Sequence, residues 1–238
     1  MSSHRTALVI GAGPGLGMSI AHRFGREGFT VALVSRSDTR HAGYVADLDK
    51  AGIEATSHTA DVRDENRLLA VLDTVAERHG TIDVVYYGPG AADPGVRPVP
   101  ITGTTSDGVR QAMSWVYPAV DVVAKVLPAM TERGDGGLLF AGGLSSVVPM
   151  PALGDLAVAS AALRNYALTL NAGLAEHGVY AGTLTIGGLI ERGDIHTLLT
   201  SQEAFKGIGT LDPDKIAETA WTLYTDRDRP EATFNAGF

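Results

Sequence analysis

Four glycines at every second position directly follow a short apolar run near the start of the sequence. The run is ALVI, and the glycines of the next stretch, GAGPGLG, are Gly11, Gly13, Gly15 and Gly17. Glycine lets a backbone turn tightly and approach a ligand, and the helix that follows would offer amides and its positive dipole end to a phosphate. We therefore predict that these glycines and Leu16 bind a dinucleotide pyrophosphate. A plain strand-to-helix turn is the alternative.

A second stretch, VSRSD, bears on which dinucleotide such a loop would bind. Folds that bind NAD usually place an acidic residue at the end of the second strand, for the ribose 2′-hydroxyl, but this sequence has Ser35 there. The planar cation of Arg36 suits a 2′-phosphate, and Ser35 and Ser37 can add hydrogen bonds. The stretch favours NADP(H), with Arg40 and His41 as lesser candidates for the phosphate. Alternatively, Arg36 is a solvated loop residue.

These residues need a scaffold, and the apolar pattern predicts a parallel sheet. Short apolar runs alternate with segments of helical period, which is typical of a sheet with helices on both faces. The predicted strands are 7–10, 29–34, 53–58, 82–87, 137–142 and 179–186. The predicted helices are 15–27, 39–50, 64–79, about 105–131, about 153–177 and 213–225. The fold class is α/β, a doubly wound parallel sheet in a Rossmann-type three-layer sandwich, and we expect one dinucleotide-binding domain over residues 1–238.

Composition narrows the possible functions. The chain has no cysteine, which excludes thiolate chemistry, and its seven histidines lack the spacing of a metal site. The formal net charge of −8 argues against a nucleic-acid surface, because phosphate binding needs clustered Lys and Arg. We find no signal peptide and no apolar run near the roughly 20 residues that span a bilayer. We expect a cytoplasmic protein with a small-molecule substrate and without metal, nucleic acid or membrane.

The order of the motifs resembles the classical short-chain dehydrogenase/reductase family. The glycine loop is followed by Asp61 and Val62 after the third predicted strand, and the segment SAALRNYALTLNAGLAEHGV is similar to the family's long fifth helix. The resemblance implies that Asp61 and Val62 hold the adenine ring of the cofactor. An alternative role for Asp61 is the N-cap of the helix predicted from residue 64.

Two further segments correspond to cofactor-binding parts of that family. The turn after the fourth predicted strand has Gly88, Pro89 and Gly90, which by resemblance would run along the cofactor. Gly188 and Ile190 fall in the loop that binds the nicotinamide in the family. The adenosine half of the family pattern is thus retained, whereas the nicotinamide half differs.

The resemblance also implies a catalytic set that this sequence lacks. The family reduces carbonyls with a Tyr-x-x-x-Lys pair on its fifth helix, a serine at the end of the fifth strand and an asparagine in the fourth helix. These positions hold Leu156, Ser160, Gly143 and Trp115, and no tyrosine in the sequence is followed four residues later by lysine. A positioned general acid contributes on the order of 10² to 10⁴ in rate, so ordinary ketone reduction is not expected.

Several other polar or aromatic side chains near the predicted site are candidates for catalysis. They are Tyr87, Trp115, Ser145, Ser146 and Asp155. Each has a structural alternative, since the two aromatic residues can be packing residues and Asp155 can cap its helix. A hydrogen bond from a tyrosine or serine would suffice where hydride transfer needs no dedicated acid.

Two classes of function remain. The first is an NADP(H)-dependent oxidoreductase without the usual catalytic set, which reduces imines or activated alkenes. The second is a non-redox protein on the same scaffold, such as an NADPH-binding sensor, a partner subunit, a cyclase or an isomerase. In either case the apolar fourth and fifth helices, together with the family resemblance, predict a homodimer or homotetramer.

Overall fold

A computed structural model describes residues 5–89, 98–202 and 209–237. Its strands are β1 (Thr6–Ile10), β2 (Thr30–Ser35), β3 (Ala55–Thr59), β4 (Val84–Tyr87), β5 (Gly136–Gly143), β6 (Val179–Gly187), β7 (Leu189–Ile190), β8 (Thr210–Leu211) and β9 (Glu231–Asn235). Seven of them form one sheet in the order β3-β2-β1-β4-β5-β6-β9, and every neighbouring pair is parallel. The strands β7 and β8 form a separate parallel pair.

Helices cover both faces of the sheet. They are α1 (Leu16–Gly25), α2 (His41–Lys50), α3 (Glu65–His79), α4 (Ser106–Met113), α5 (Tyr117–Arg133), α6 (Gly154–Leu174), α7 (Asp194–Thr200) and α8 (Pro213–Asp226). Side chains of α1, α2 and α8 pack on one face, and those of α3, α5 and α6 pack on the other. This three-layer arrangement confirms the predicted α/β fold class. Among the described helices, none is long and apolar enough to cross a membrane.

The central strands are buried on both faces, as expected for a parallel sheet. Along β1, Ala7 and Val9 face the α1 side, whereas Leu8 and Ile10 face the α3 side. This alternation follows from the two-residue period of a strand. The predicted apolar runs form strands because they have hydrophobic partners on both faces of the sheet.

The prediction of a single helix over about 105–131 is wrong, because the structure has two helices, α4 and α5, in this range. The break falls between Met113 and Tyr117, and Pro118 lies in the first turn of α5. A proline disfavours helical backbone at the preceding residue and suits the first turn of a new helix. The break brings Trp115 to the end of the sheet.

The edge strand β9 and the short helix α7 are not among the elements predicted from the sequence. β9 pairs with β6, and Glu231 in β9 accepts hydrogen bonds from Arg164 at 2.7 and 2.6 Å and from Thr185 at 2.6 Å. α7 exposes Ile195 and Leu198 rather than burying an apolar face. Neither segment has the long periodic apolar pattern on which the sequence predictions depended.

Candidate functional site

A cavity of about 420 Å³ opens at the carboxyl ends of the central strands. It lies beside β1 and β4, which are neighbours in the sheet although the chain passes through β2 and β3 between them. This is the position at which open α/β sheets bind ligands. The glycine loop, the end of β5, the first half of α6 and the segment 186–195 supply its walls.

The glycine loop is packed so closely that side chains would not fit at two of its positions. Gly11 has φ of +95°, and a Cβ atom there would lie 2.6 Å from the carbonyl carbon of Gly88. A Cβ atom on Gly17 would lie 2.5 Å from the carbonyl oxygen of Gly11. All four predicted glycines and Leu16 line the cavity, so the structure brings the first turn of α1 to its edge.

The turn after β2 lies outside the cavity lining. Ser35 donates a hydrogen bond to the carbonyl oxygen of Ser37 at 2.9 Å, and its oxygen is 2.7 Å from Nε2 of the buried His41. The Ser35 hydroxyl has one proton, and it donates this proton to Ser37. In the second hydrogen bond the ring of His41 is therefore the donor and the Ser35 oxygen the acceptor. Ser37 also exchanges a hydrogen bond with Thr39 at 2.6 Å, and Arg36 is exposed to solvent.

Asp61 interacts with its own turn rather than with α3. Its carboxylate accepts from the main-chain nitrogen of Arg63 at 3.0 Å and pairs with the Arg63 guanidinium at 2.7 Å. The hydrogen bonds from Arg63 lower the pKa of Asp61, and the charge of Arg36 adds to this effect. The alternative that Asp61 caps α3 is wrong, because Asp64 is the N-cap and accepts from the nitrogen of Arg67. Val62 is buried in the core.

The remaining predicted cofactor residues lie around the cavity. Gly88, Pro89, Gly188 and Ile190 all line it, whereas Gly90 lies outside the described residues. The amide of Gly88 donates to the carbonyl of Ile10 at 2.9 Å, which joins the ends of β4 and β1.

The segment that follows Ile190 crosses the glycine loop, and the sequence did not predict this contact. A Cβ atom on Gly15 would lie 3.1 Å from the carbonyl oxygen of Glu191, and Asp194 and Ile195 line the cavity. Arg192, with φ of 66°, pairs with Asp214 of α8 at 2.8 Å. Asp194 pairs with Arg40 at 2.8 Å. These contacts join distant parts of the chain, so no local sequence pattern indicates them.

The structure brings two of the five predicted catalytic residues to the cavity. Trp115 lines it with its ring 5.0 Å from the Arg63 guanidinium, and Ser145 lines it beside Gly143. Tyr87 is buried and donates its hydroxyl proton to the carbonyl oxygen of Trp115 at 2.7 Å, and burial raises the pKa of Tyr87 above its usual range.

Ser146 and Asp155 are not part of the cavity lining. Ser146 donates to the carbonyl oxygen of Gly143 at 2.8 Å. The buried carboxylate of Asp155 accepts from the nitrogen of Leu156 at 2.9 Å in the first turn of α6, although Leu153 is the N-cap. On α6 it is instead Leu156, Ala159, Ser160 and Leu163 that line the cavity. The described residues contain no cluster of acidic and histidine side chains suited to a metal ion.

Comparison with known proteins connects this geometry to a family. The family model described as short chain dehydrogenase matches residues 5–194. A putative ketoacyl reductase of Streptomyces coelicolor is 32% identical over 133 residues, which are 56% of this chain and 51% of that protein. Dehydrogenase/reductase SDR family member 4 of Bos taurus is 27% identical over 77% of this chain and 65% of that protein. The matches therefore cover about half to two thirds of these relatives.

Solved structures share the whole fold at low sequence identity. A short-chain dehydrogenase from Rhodopseudomonas palustris has a TM-score of 0.78 at 23% identity and covers 97% of this chain and 98% of its own. A metagenomic short-chain oxidoreductase in complex with NADP has a TM-score of 0.78 at 20% identity and covers 100% of this chain and 99% of its own. Together with the family match over most of its length, this shows that the chain belongs to the short-chain dehydrogenase family of oxidoreductases.

Proposed function

We propose that the protein is an NADP(H)-dependent oxidoreductase that works without a tyrosine–lysine acid and reduces imines or activated alkenes. The observation that carries the proposal is the cavity wall on α6, where Leu156 and Ser160 face the same cavity as the glycine loop. Leucine has no proton to donate, and a serine hydroxyl is a far weaker acid than an activated phenol. A substrate that does not build a negative charge on an oxygen bonded to the carbon receiving hydride suits such a wall, because no acid is needed at that carbon.

The residues around the glycine loop fit a dinucleotide. Gly13 and Gly15 line the cavity, and a Cβ atom on Gly13 would meet no atom within 4 Å, so the loop leaves open space for a pyrophosphate. The first turn of α1 begins at Leu16, beside this space, and helix N-termini attract phosphate. When bound, the reduced dinucleotide supplies the hydride for the reaction.

The turn after β2 supports NADP(H) over NAD(H). Arg36 provides a cation and Ser37 a hydroxyl, no carboxylate stands at the end of the strand, and the Ser35 hydroxyl is already bonded to Ser37 and His41. A 2′-phosphate there would accept charge-assisted hydrogen bonds. The metagenomic oxidoreductase that shares this fold binds NADP, which agrees with the proposal.

Outside the glycine loop, the cavity is lined mainly by apolar side chains. Trp115, Val116, Leu153 and Leu163 line it, and these side chains would exclude water from the reacting carbon. The Ser145 hydroxyl also lines the cavity and can donate a hydrogen bond to a substrate acceptor. The chain's residues thus orient and desolvate the substrate, and they stabilise developing charge by hydrogen bonding rather than by proton transfer.

The cofactor assignment predicts the effect of removing one cation. Calorimetric titration should show tighter binding of NADPH than of NADH to the unmodified protein. Arg36→Ala should weaken NADPH binding about 10- to 100-fold, the range for a lost hydrogen bond to a charged group, and leave NADH binding unchanged. Arg78→Ala removes an exposed arginine at the end of α3 and serves as the matched control. Equal affinity of the unmodified protein for both dinucleotides would contradict the assignment.

Turnover distinguishes the proposed oxidoreductase from a non-redox protein on the same scaffold. We expect loss of NADPH absorbance with a cyclic imine or a cyclic enone and little loss with the corresponding plain ketone. NADPH binding without turnover of any of the three would support a sensor or partner subunit. Rapid reduction of the plain ketone alone would show that the protein has an acid other than those considered.

A further inference from the structure

Two serine hydroxyls converge on one point of the cavity. Ser145 lies in the turn after β5, and Ser160 lies in the second turn of α6. A Cβ atom built on Gly143 would lie 3.4 Å from the Oγ atom of Ser145 and 3.4 Å from the Oγ atom of Ser160. Because both oxygens are equally close to this point, an acceptor atom that lies slightly nearer to them can accept from both. All three residues line the cavity.

Neither hydroxyl is used to hold the fold together. Within the described part of the chain, the side chains of Ser145 and Ser160 make no hydrogen bond, whereas the neighbouring Ser146 donates to the carbonyl oxygen of Gly143 at 2.8 Å. A half-buried hydroxyl that lacks an internal partner retains a donor for a ligand. The pair therefore offers two donors to whatever occupies the cavity.

The carboxylates near the cavity are already engaged. Asp155 accepts from the nitrogens of Leu156 and Val99, and Glu191 accepts from the Thr210 hydroxyl at 2.8 Å. Among the described lining residues the single acid is Asp194, which is paired with Arg40. A buried cation needs a compensating negative charge, and the walls around Ser145 and Ser160 do not supply one. This cavity suits a neutral substrate better than a cationic iminium ion.

We propose that Ser145 and Ser160 together hold the carbonyl oxygen of a neutral α,β-unsaturated carbonyl compound. This rests on the proposed function and narrows its substrate class. The C=C π bond breaks, one C–H bond forms at the β-carbon with the hydride of NADPH, and the electron pair moves to the carbonyl oxygen between the two hydroxyls. A proton from solvent then forms the C–H bond at the α-carbon. The alkene is reduced, NADPH is oxidised, and neither serine loses its proton.

A carbonyl that accepts two hydrogen bonds has a distinctive vibrational signature. Infrared difference spectra of 2-cyclohexenone, with and without a ¹³C label at the carbonyl, would be recorded on the protein saturated with NADP⁺, where no turnover occurs. We expect the bound carbonyl band to lie at lower frequency than in water. Ser145→Ala and Ser160→Ala should each reverse part of this shift, and the double variant should reverse all of it.

A third variant blocks the acceptor point but keeps both hydroxyls. Gly143 has an extended backbone with φ of −88° and ψ of 149°, so alanine is tolerated there. Gly143→Ala places a methyl group 3.4 Å from both oxygens, where the carbonyl would lie, and should abolish the shifted band. Thr225→Ala, which removes an exposed hydroxyl on α8 outside the cavity lining, is the control and should leave the band unchanged.

Kinetics and cofactor binding separate the failure of this inference from the failure of the proposed function. The double serine variant should lower kcat/KM for 2-cyclohexenone by about 10²-fold or more, as for loss of oxyanion donors, while NADP⁺ binding by calorimetry stays the same. Unchanged kcat/KM and an unchanged carbonyl band in the variants would overturn the serine pair alone. A preference for cyclic iminium ions over the enone would overturn the neutral substrate class. Absence of NADP⁺ binding in the unmodified protein would overturn both proposals.

Discussion

Tyr87 shows how a residue with suitable chemistry can have a structural role. Tyr87 is the last residue of β4, and its ring packs in the core on the sheet face that α5 covers, 6.4 Å from the ring of Phe140. Its hydroxyl donates to the carbonyl oxygen of Trp115. That carbonyl belongs to the break between α4 and α5, where the regular helical hydrogen bonds stop. The tyrosine therefore supports the position of Trp115 at the cavity wall.

We predict that Tyr87→Phe lowers stability and leaves turnover intact. The substitution removes the donor for a partly buried carbonyl, which costs about 1 to 3 kcal/mol. Urea unfolding followed by circular dichroism measures this loss, and kcat with an enone measures activity. Tyr180→Phe is the matched control, because Tyr180 is also buried and donates to a main-chain carbonyl, that of Arg229, at 2.8 Å. A large loss of kcat with unchanged stability would show that Tyr87 acts in catalysis.

The sequence indicated the site residues that depend on local backbone geometry. The glycine loop was predictable because its position after the first strand dictates a turn that only glycine fits, as at Gly11 and Gly17. The direction of an individual side chain was not predictable for Tyr86 and Tyr87, which are adjacent in β4 and face opposite layers of the sheet. The convergence of Ser145 and Ser160 depends on how α6 packs against the end of β5, which is a tertiary contact.

At the scale of elements, the strands predicted best are those with apolar partners on both faces. β1, β2, β4 and β5 are continuous apolar runs and were predicted close to their observed bounds. β9 has the sequence EATFN, in which only two side chains are apolar, so its strand state comes from pairing with β6 and from one ionic contact. An edge strand of this kind has no local pattern that distinguishes it from a loop.

We predict that Glu231→Gln loosens this edge of the sheet. Arg164 of α6 makes two hydrogen bonds to the carboxylate, and both side chains are largely buried, with exposed fractions of 27% for Arg164 and 20% for Glu231. Loss of the charge leaves Arg164 without its counter-ion, which should cost about 1 to 3 kcal/mol at neutral pH. Urea unfolding measures the cost, and Glu132→Gln, an exposed residue of α5, is the control.

The same pair predicts a pH dependence. The hydrogen bonds from Arg164 lower the pKa of Glu231 in the folded protein, whereas in the unfolded chain it titrates near its usual value of about 4.3. As the pH falls, Glu231 is therefore protonated in the unfolded chain before it is protonated in the folded protein. The stability that the Glu231 charge contributes is complete above pH ~4.3 and is lost as the pH falls below it. The difference in unfolding free energy between the unmodified protein and Glu231→Gln should shrink below pH ~4. A difference that stays constant with pH would rule out this ion pair as the cause.

At the scale of the whole molecule, α5 and α6 expose apolar side chains on the surface. Tyr117 and Val120 of α5 have exposed fractions of 55% and 39%, and Val158 of α6 has 43%. Within the described part of the chain, no other residues cover these apolar side chains. Pairing of two copies across a two-fold axis would bury them. Pairing of helices by their ridges and grooves is a common way to cover apolar helix faces.

We therefore predict a homodimer or homotetramer in which α5 and α6 contact their counterparts. Light scattering at micromolar concentration should give a mass of about two or four times the 24.8 kDa of the chain. Val120→Arg and Val158→Arg place charges on the proposed contact surface and should shift the mass towards one chain, because buried unpaired cations oppose association. Leu198→Arg changes an exposed apolar residue on α7, outside these two helices, and should leave the mass unchanged. A mass of one chain for the unmodified protein would contradict assembly altogether, whereas a multimer that only Leu198→Arg disrupts would place the contact at α7.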